Sequence, residues 1–405
     1  MPGYRGLARD REFRALFGAH VVSVAGDQFA RVALTVHVYD RTASAGLTAL
    51  TYALTFLPDL LGGPLLSGLA DRFARKKVMV AADLVRAALL VLMAVPGLPL
   101  WALAALLVTV QLAGAPHGAA RAALLPNILP DERYPLAQAV LNTVTQAAQV
   151  AGFLGGGVLV ASLGPGPVLL ADGVTFAVSA LLVGVFLLDR PPPGHPHVRA
   201  WPADLLGGAR LVWGDRRLRA LVALACVSGF YIPAEALAAP LASQLGAGPA
   251  AVGAIFGVVS AGTALGMVVL ARMPAGRGLR WMPLLSVASC ALLLPMALSP
   301  GLAWTLVLLG LSGAASGYQL LANATFVRSV PDATRGQAFG LAVTALRVSQ
   351  GLGIAAAGAA AHWWRTPHVI AVIAGVGVLA AAGAAWEWTQ AVGQAERSPR
   401  TETSR

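Results

Sequence analysis

Asp27, Arg31, Asp59 and Glu235 each interrupt a long apolar run. By insertion scales, an ionised side chain at the centre of a membrane-spanning helix costs about 2.5–3.5 kcal/mol, so each needs a partner or a watery cavity. Asp27 and Asp59 fall about 13 residues into their runs, roughly 20 Å along a helix. Glu235 lies at a similar depth in its own run, and Arg31 follows Asp27 at i+4, on the same helix face. A carboxylate in a low-dielectric cavity holds its proton more tightly, and a nearby cation expels it. That exchange is a physical route to proton-coupled movement of a solute. A permanent Asp27 to Arg31 ion pair that pins neighbouring helices is the other reading of the same spacing.

Uncharged polar groups add a second tier. Asn142, Gln146 and Gln149 recur at i, i+4 and i+7, a polar stripe at helical spacing. Gln28, Tyr231, Tyr318, Gln319, Asn323 and Gln350, with the cationic Arg347, supply comparable polarity elsewhere. These positions are candidates to line a cavity, and hydrogen bonding between helices is the bland alternative. No HExxH or GxxxxGK[ST] pattern occurs, His195-Pro196-His197 has no third ligand, and Cys226 and Cys290 sit in apolar runs without a CxxC. The expectation is therefore no metal, no cofactor and no enzymatic chemistry.

The elements that must position these residues follow from composition. The chain has 405 residues, 57% hydrophobic and only 12% charged, too few charges to coat soluble domains of this size. Apolar runs at about 14–38, 46–70, 77–96, 99–122, 137–163, 166–188, 219–243, 249–271, 280–298, 301–327, 336–361 and 367–390 read as twelve membrane spans. Numbering the loops alternately puts 24 of the 29 Lys and Arg on one side, Arg121 among them, and Arg41 and Arg365 on the other. By the positive-inside rule both termini are cytoplasmic, in a plasma or inner membrane, and the net charge of +11 is a sidedness signal rather than a nucleic-acid footprint. No signal peptide is indicated.

A polar interval near the middle opens with Pro191-Pro192-Pro193-Gly194, and Trp201 to Trp213 reads as a short interfacial helix. Either side of it the sequence echoes itself. Leu129-Pro130-Asp131 with Ala137-Gln138-Ala139 answers to Val330-Pro331-Asp332 with Gly336-Gln337-Ala338. The expected organisation is a six-helix bundle at 1–188, a linker at 189–218, a second bundle at 219–391 and a tail at 392–405. Parallel six-helix halves are a transporter repeat architecture with the substrate path near the midplane.

One loop carries a resemblance. Ser67-Gly68-Leu69-Ala70-Asp71-Arg72-Phe73-Ala74-Arg75-Lys76-Lys77 resembles the major facilitator superfamily signature G-x-x-x-D-R-x-G-R-R/K, with Ser67 and Ala74 at the glycine positions. Gly26-Asp27, Ala82-Asp83-Leu84-Val85-Arg86-Ala87, and Ala171-Asp172 with Thr175, Phe176 and Ser179 are similar to the branch containing siderophore exporters and macrolide efflux proteins. The likeness runs from Phe13 to Leu188 and weakens beyond.

The resemblance implies an all-α polytopic fold of two pseudo-symmetric bundles, with Asp71, Arg72 and Arg75 as a conformational latch. The family lines its cavity with the first, second, fourth and fifth spans of each half. Asp83, Arg86 and Asp172, on the third and sixth spans, are then expected to form structural pairs. The implied activity is proton-coupled efflux of a drug-like, macrolide or siderophore-type compound by a monomer in the lipid bilayer. The alternatives are an importer of a small metabolite, or a non-transport membrane protein such as a scramblase or sensor.

Overall fold

A computed structural model describes residues 7, 9–55, 72–129, 134–190, 201–331 and 334–397, and every regular element among them is helical. Nine stretches of these residues are long and apolar enough to cross a membrane. Asp59 and Asp71 lie outside the described residues. The chain divides into two compact units, residues 1–199 with 236–260, and residues 200–235 with 261–405.

The first unit contains α1 (Arg11–Thr42), α2 (Ala45–Ala53), α3 (Arg75–Met93), α4 (Leu100–Ile128), α5 (Tyr134–Leu163) and α6 (Pro165–Phe186). Asp10 caps α1 by accepting from Phe13 N at 2.9 Å, which satisfies one of the orphan donors of the first turn. Pro165 opens α6, where its missing N–H has no intrahelical partner to lose. α1 packs against α5 and α6, and α3 against α4 and α6. Phe13, Leu16, Met79, Leu124, Leu141 and Val183 close the core at one end of this bundle. At 32 residues α1 is long enough to span a bilayer but is not among the nine apolar stretches. It is the helix that carries His20, Asp27, Gln28 and Arg31.

At the same end Glu12 accepts from Arg190 Nη1 at 2.8 Å and Nη2 at 2.7 Å, and from Leu188 N at 2.8 Å. This fork ties the start of α1 to the chain leaving α6. The Arg190 hydrogen bonds hold the Glu12 carboxyl below the usual carboxylate range.

A helix over Trp201–Gly214, α7, follows the proline-rich interval. The seventh apolar run is not one helix. It is broken into α8 (Arg216–Cys226), α9 (Ser228–Tyr231), α10 (Pro233–Ala236) and α11 (Ala238–Gln244). Pro233 and Pro240 lack the N–H that a continuous helix would use. α12 (Pro249–Arg272), α13 (Ala275–Ala291), a 3-10 turn at Leu294–Leu298, α14 (Leu302–Ser316), α15 (Tyr318–Ser329), α16 (Arg335–Ala360) and α17 (Thr366–Arg397) complete the chain. In the second unit α8 and α13 pack on α17, and α7 packs on α16. Leu218, Leu221, Met282, Tyr318, Phe326 and Trp388 belong to its core.

Candidate functional site

The first unit encloses a polar cavity of about 290 Å³. α1 contributes His20, Val24, Asp27, Arg31 and Leu34, a stripe at i, i+4, i+7, i+11 and i+14 that an α-helix keeps on one face. From α4 come Gln111, Gly114, His117 and Arg121, at the same kind of spacing. Arg86 enters from α3, Gln149 from α5 and Asp172 from α6.

Arg86 Nη2 donates to Asp27 Oδ1 at 2.8 Å. The side chain of Arg86 is 8% exposed and that of Asp27 31%, so the acid faces the cavity while the guanidinium backs it. The guanidinium carbon lies 3.8 Å from the centre of the Phe176 ring, a cation-π contact that helps hold the charge in apolar surroundings. Asp172 is buried beside this pair, with the Thr175 hydroxyl 3.0 Å from its Oδ1. The fit requires Gly26, because a Cβ there would overlap both the Asp172 carboxylate and the Thr175 hydroxyl.

These contacts correct the expected pairing. Asp83 and Arg86 do not bond one another. Asp83 Oδ2 accepts from Ser179 at 2.6 Å and its Oδ1 lies 2.9 Å from His117 Nδ1, while Arg86 reaches across to Asp27. The i+3 spacing puts both residues on α3, but its two sides meet different helices. Nor is Arg31 the hydrogen-bonded partner in the Asp27–Arg86 pair. The Arg31 guanidinium carbon sits 5.9 Å from the ring centres of both Tyr52 and Phe153. Phe256 stacks on those two rings at 5.7 and 5.0 Å.

Arg121 is a second correction. Counted from the sequence as a loop residue, it lies inside α4, which runs on to Ile128, and it donates to His20 Nδ1. A guanidinium can only donate, so Nδ1 is the acceptor and the His20 proton sits on Nε2. Nε2 lies 2.8 Å from Thr145 Oγ1, whose own proton goes to Leu141 O at 2.7 Å. The chain Arg121, His20, Thr145, Leu141 is therefore ordered in one direction.

Of the polar stripe on α5, Gln149 reaches the cavity. Asn142 is exposed and Gln146 half-buried, and neither is on the wall. The face turned to α1 carries Thr145, Gln149 and Gly152, and of the stripe it includes Gln149 alone. His20, Gln111, His117 and Arg121 are wall residues that sequence reasoning missed. The signal for His20 was its place seven residues before Asp27, two turns along the same face.

In the second unit Tyr231, Tyr318 and Gln319 meet in one hydrogen-bonded group, and Arg347 and Gln350 in another. Tyr318 is buried in the core and donates to Leu224 O at 2.7 Å, using a carbonyl near the break that ends α8. Gln319 donates to Ala225 O at 3.0 Å, and its amide nitrogen lies 3.4 Å from Tyr231 Oη. Gln350 donates to Ser228 Oγ at 3.1 Å and accepts from Arg347 at 3.3 Å. Gln319 and Asn323 border a mostly apolar cavity of about 280 Å³. Glu235 is half-buried in α10. Arg72 is exposed, and Arg75 Nη1 donates to Ala123 O at 2.8 Å near the end of α4. Among the described residues no group of three or more His, Cys, Asp or Glu side chains is placed to hold a metal ion.

Residues 16–236, more than half of the chain, match the Major Facilitator Superfamily. The chain belongs to this family of transporters. Its helices are thus those of an integral membrane protein. Among relatives, an uncharacterised MFS-type transporter, YvqJ of Bacillus subtilis, is 30% identical over 178 residues, 43% of this chain and 42% of that one. The multidrug efflux pump Tap of Mycobacterium tuberculosis is 29% identical over 256 residues, 58% of this chain and 59% of Tap. The similarity thus spans roughly half the length of these curated relatives. The crystal structure of the nucleoside transporter NupG superposes with a TM-score of 0.71 at 15% identity, covering 92% of this chain and 99% of NupG, and shares the fold.

Proposed function

We propose that this superfamily member is a proton-coupled exporter of a drug-like, macrolide or siderophore-type compound, working by alternating access. The observation that carries the reading is the Asp27–Arg86 pair on the wall of a polar cavity, with Asp172 beside it. A carboxylate that takes up a proton no longer attracts its guanidinium, so Arg86 is released to the cavity. Loss of that proton restores the pair. Proton and substrate then compete for one set of charges, which is the thermodynamic requirement of exchange. Export rather than import is supported by the similarity to Tap, itself a multidrug efflux pump.

Arg31, Asp59 and Glu235 complete the proposed coupling set, and Asp71 with Arg72 and Arg75 the proposed latch. The two bundles at 1–188 and 219–391 would move about the linker, in a monomer whose termini are both cytoplasmic, in the plasma (inner) membrane. The test is transport in inverted vesicles, recording substrate-dependent dissipation of an imposed pH gradient across a panel of dyes, macrolides and catecholates. A response to at least one class is expected. Silence across the whole panel would count against proton-coupled export.

A further inference from the structure

The charges that the described residues bring to the cavity in the first unit are unequal. Among the described residues three guanidiniums, Arg31, Arg86 and Arg121, face two carboxylates, Asp27 and Asp172. Arg86 is committed to Asp27, and its Nε is buried without a hydrogen bond. Arg121 has no carboxylate within ion-pairing distance among the described residues. Its bond is to a neutral imidazole, which its own donation keeps from accepting a proton at Nδ1.

A half-buried cation with no counter-ion among the described residues is an expensive arrangement. Four of the five guanidinium N–H donors of Arg121 make no hydrogen bond to the described residues, and the side chain lines the cavity. His20 holds one corner of the group. The remaining planar donor fork matches a carboxylate, which it can bind through two parallel hydrogen bonds. At about 290 Å³ the cavity is at the small end for ligand pockets, the size of a compact acid or the acidic end of a longer molecule.

We infer that the cavity selects cargo bearing a carboxylate, with Arg121 as its principal ligand and His20 as a positioning residue. The inference rests on reading this cavity as the substrate path, and it narrows the cargo to acidic compounds at the expense of cationic ones.

The test is calorimetric titration of the full-length protein in nanodiscs of neutral phosphatidylcholine with three matched probes, 1-naphthoate, 1-naphthamide and 1-naphthylmethylammonium. The wild type is expected to bind naphthoate at least tenfold more tightly than either other probe. Arg121→Gln should abolish that preference and Arg121→Lys should keep a few-fold preference. Equal affinities, no binding of any probe, a preference for the ammonium, or an undiminished naphthoate preference in Arg121→Gln would overturn the inference. If Arg121→Gln does not fold, the wild-type ranking and Arg121→Lys still decide. Naphthoate selectivity without any proton-coupled flux would sink the transport reading and leave this site standing. Proton-coupled flux of cationic cargo with no naphthoate selectivity would do the reverse.

Discussion

Arg86 on α3 and Asp27 on α1 are joined by a 2.8 Å hydrogen bond that makes the two helices share one charge pair. Removing one partner leaves the other uncompensated. Because the acid is 31% exposed, Arg86→Gln should destabilise by about 2 kcal/mol rather than the roughly 3–5 kcal/mol of a fully buried pair. Residues in contact are not additive, so the Asp27→Asn, Arg86→Gln double variant should lose less than the two single variants summed. Thermal unfolding in detergent micelles measures all three. Strict additivity would mean the pair is not a coupled unit.

Gly26 is occupied from outside its own helix. A methyl group there would press on Asp172 and Thr175, so Gly26→Ala should lower stability by about 1–3 kcal/mol, the usual range for overpacking. Thr175→Ala in the same background should recover part of the loss. An unchanged melting temperature in Gly26→Ala would contradict this packing.

Gly157 on α5 and Gly253 on α12 meet backbone to backbone, and a Cβ on Gly157 would stand 2.7 Å from Gly253 Cα. Backbone cannot swing aside as a side chain can. Gly157→Ala should therefore push these two helices apart and increase labelling of a cysteine introduced at Ala250, whose carbonyl a Cβ on Gly157 would meet at 3.1 Å. Labelling no faster than in the parent would show that the contact is absent.

The Glu12–Arg190 fork gives a pH dependence outside the membrane segments. The folded state holds the Glu12 carboxyl below its ordinary value near 4.5, so its contribution is present above that pH and fades as pH falls through the lower folded value. Glu12→Gln should be less stable than the wild type by about 1 kcal/mol at pH 7. The two melting curves should converge as pH falls through that lower folded value. A gap that persists there would assign the effect to something other than the carboxylate charge.

Most spans were legible because hydropathy alone marks them, and the runs at 137–163, 166–188 and 249–271 fall within three residues of α5, α6 and α12. The seventh run is also apolar enough to read as a span, but hydropathy carries no record of the missing donors at Pro233 and Pro240 that break it. Asp27 was legible as a functional candidate because an acid in an apolar run is costly wherever the helix turns. Its partner was not. Asp83 and Arg86 are neighbours in sequence, and only the packing of α3 between α4 and α6 sends one to Ser179 and the other to Asp27. Arg121 was misjudged because a basic residue near a span end reads as a loop until the length of α4 is known. Asn142 and Gln146 share a periodicity with Gln149, but periodicity fixes a stripe and not the direction it faces.

The most direct test of proton coupling through the Asp27–Arg86 pair compares the wild type with Asp27→Asn in inverted vesicles, measuring substrate-dependent proton movement under an imposed pH gradient. The prediction is a substrate-evoked collapse of the gradient in the wild type and none in Asp27→Asn at equal membrane content. Equal proton flux in the two would contradict it.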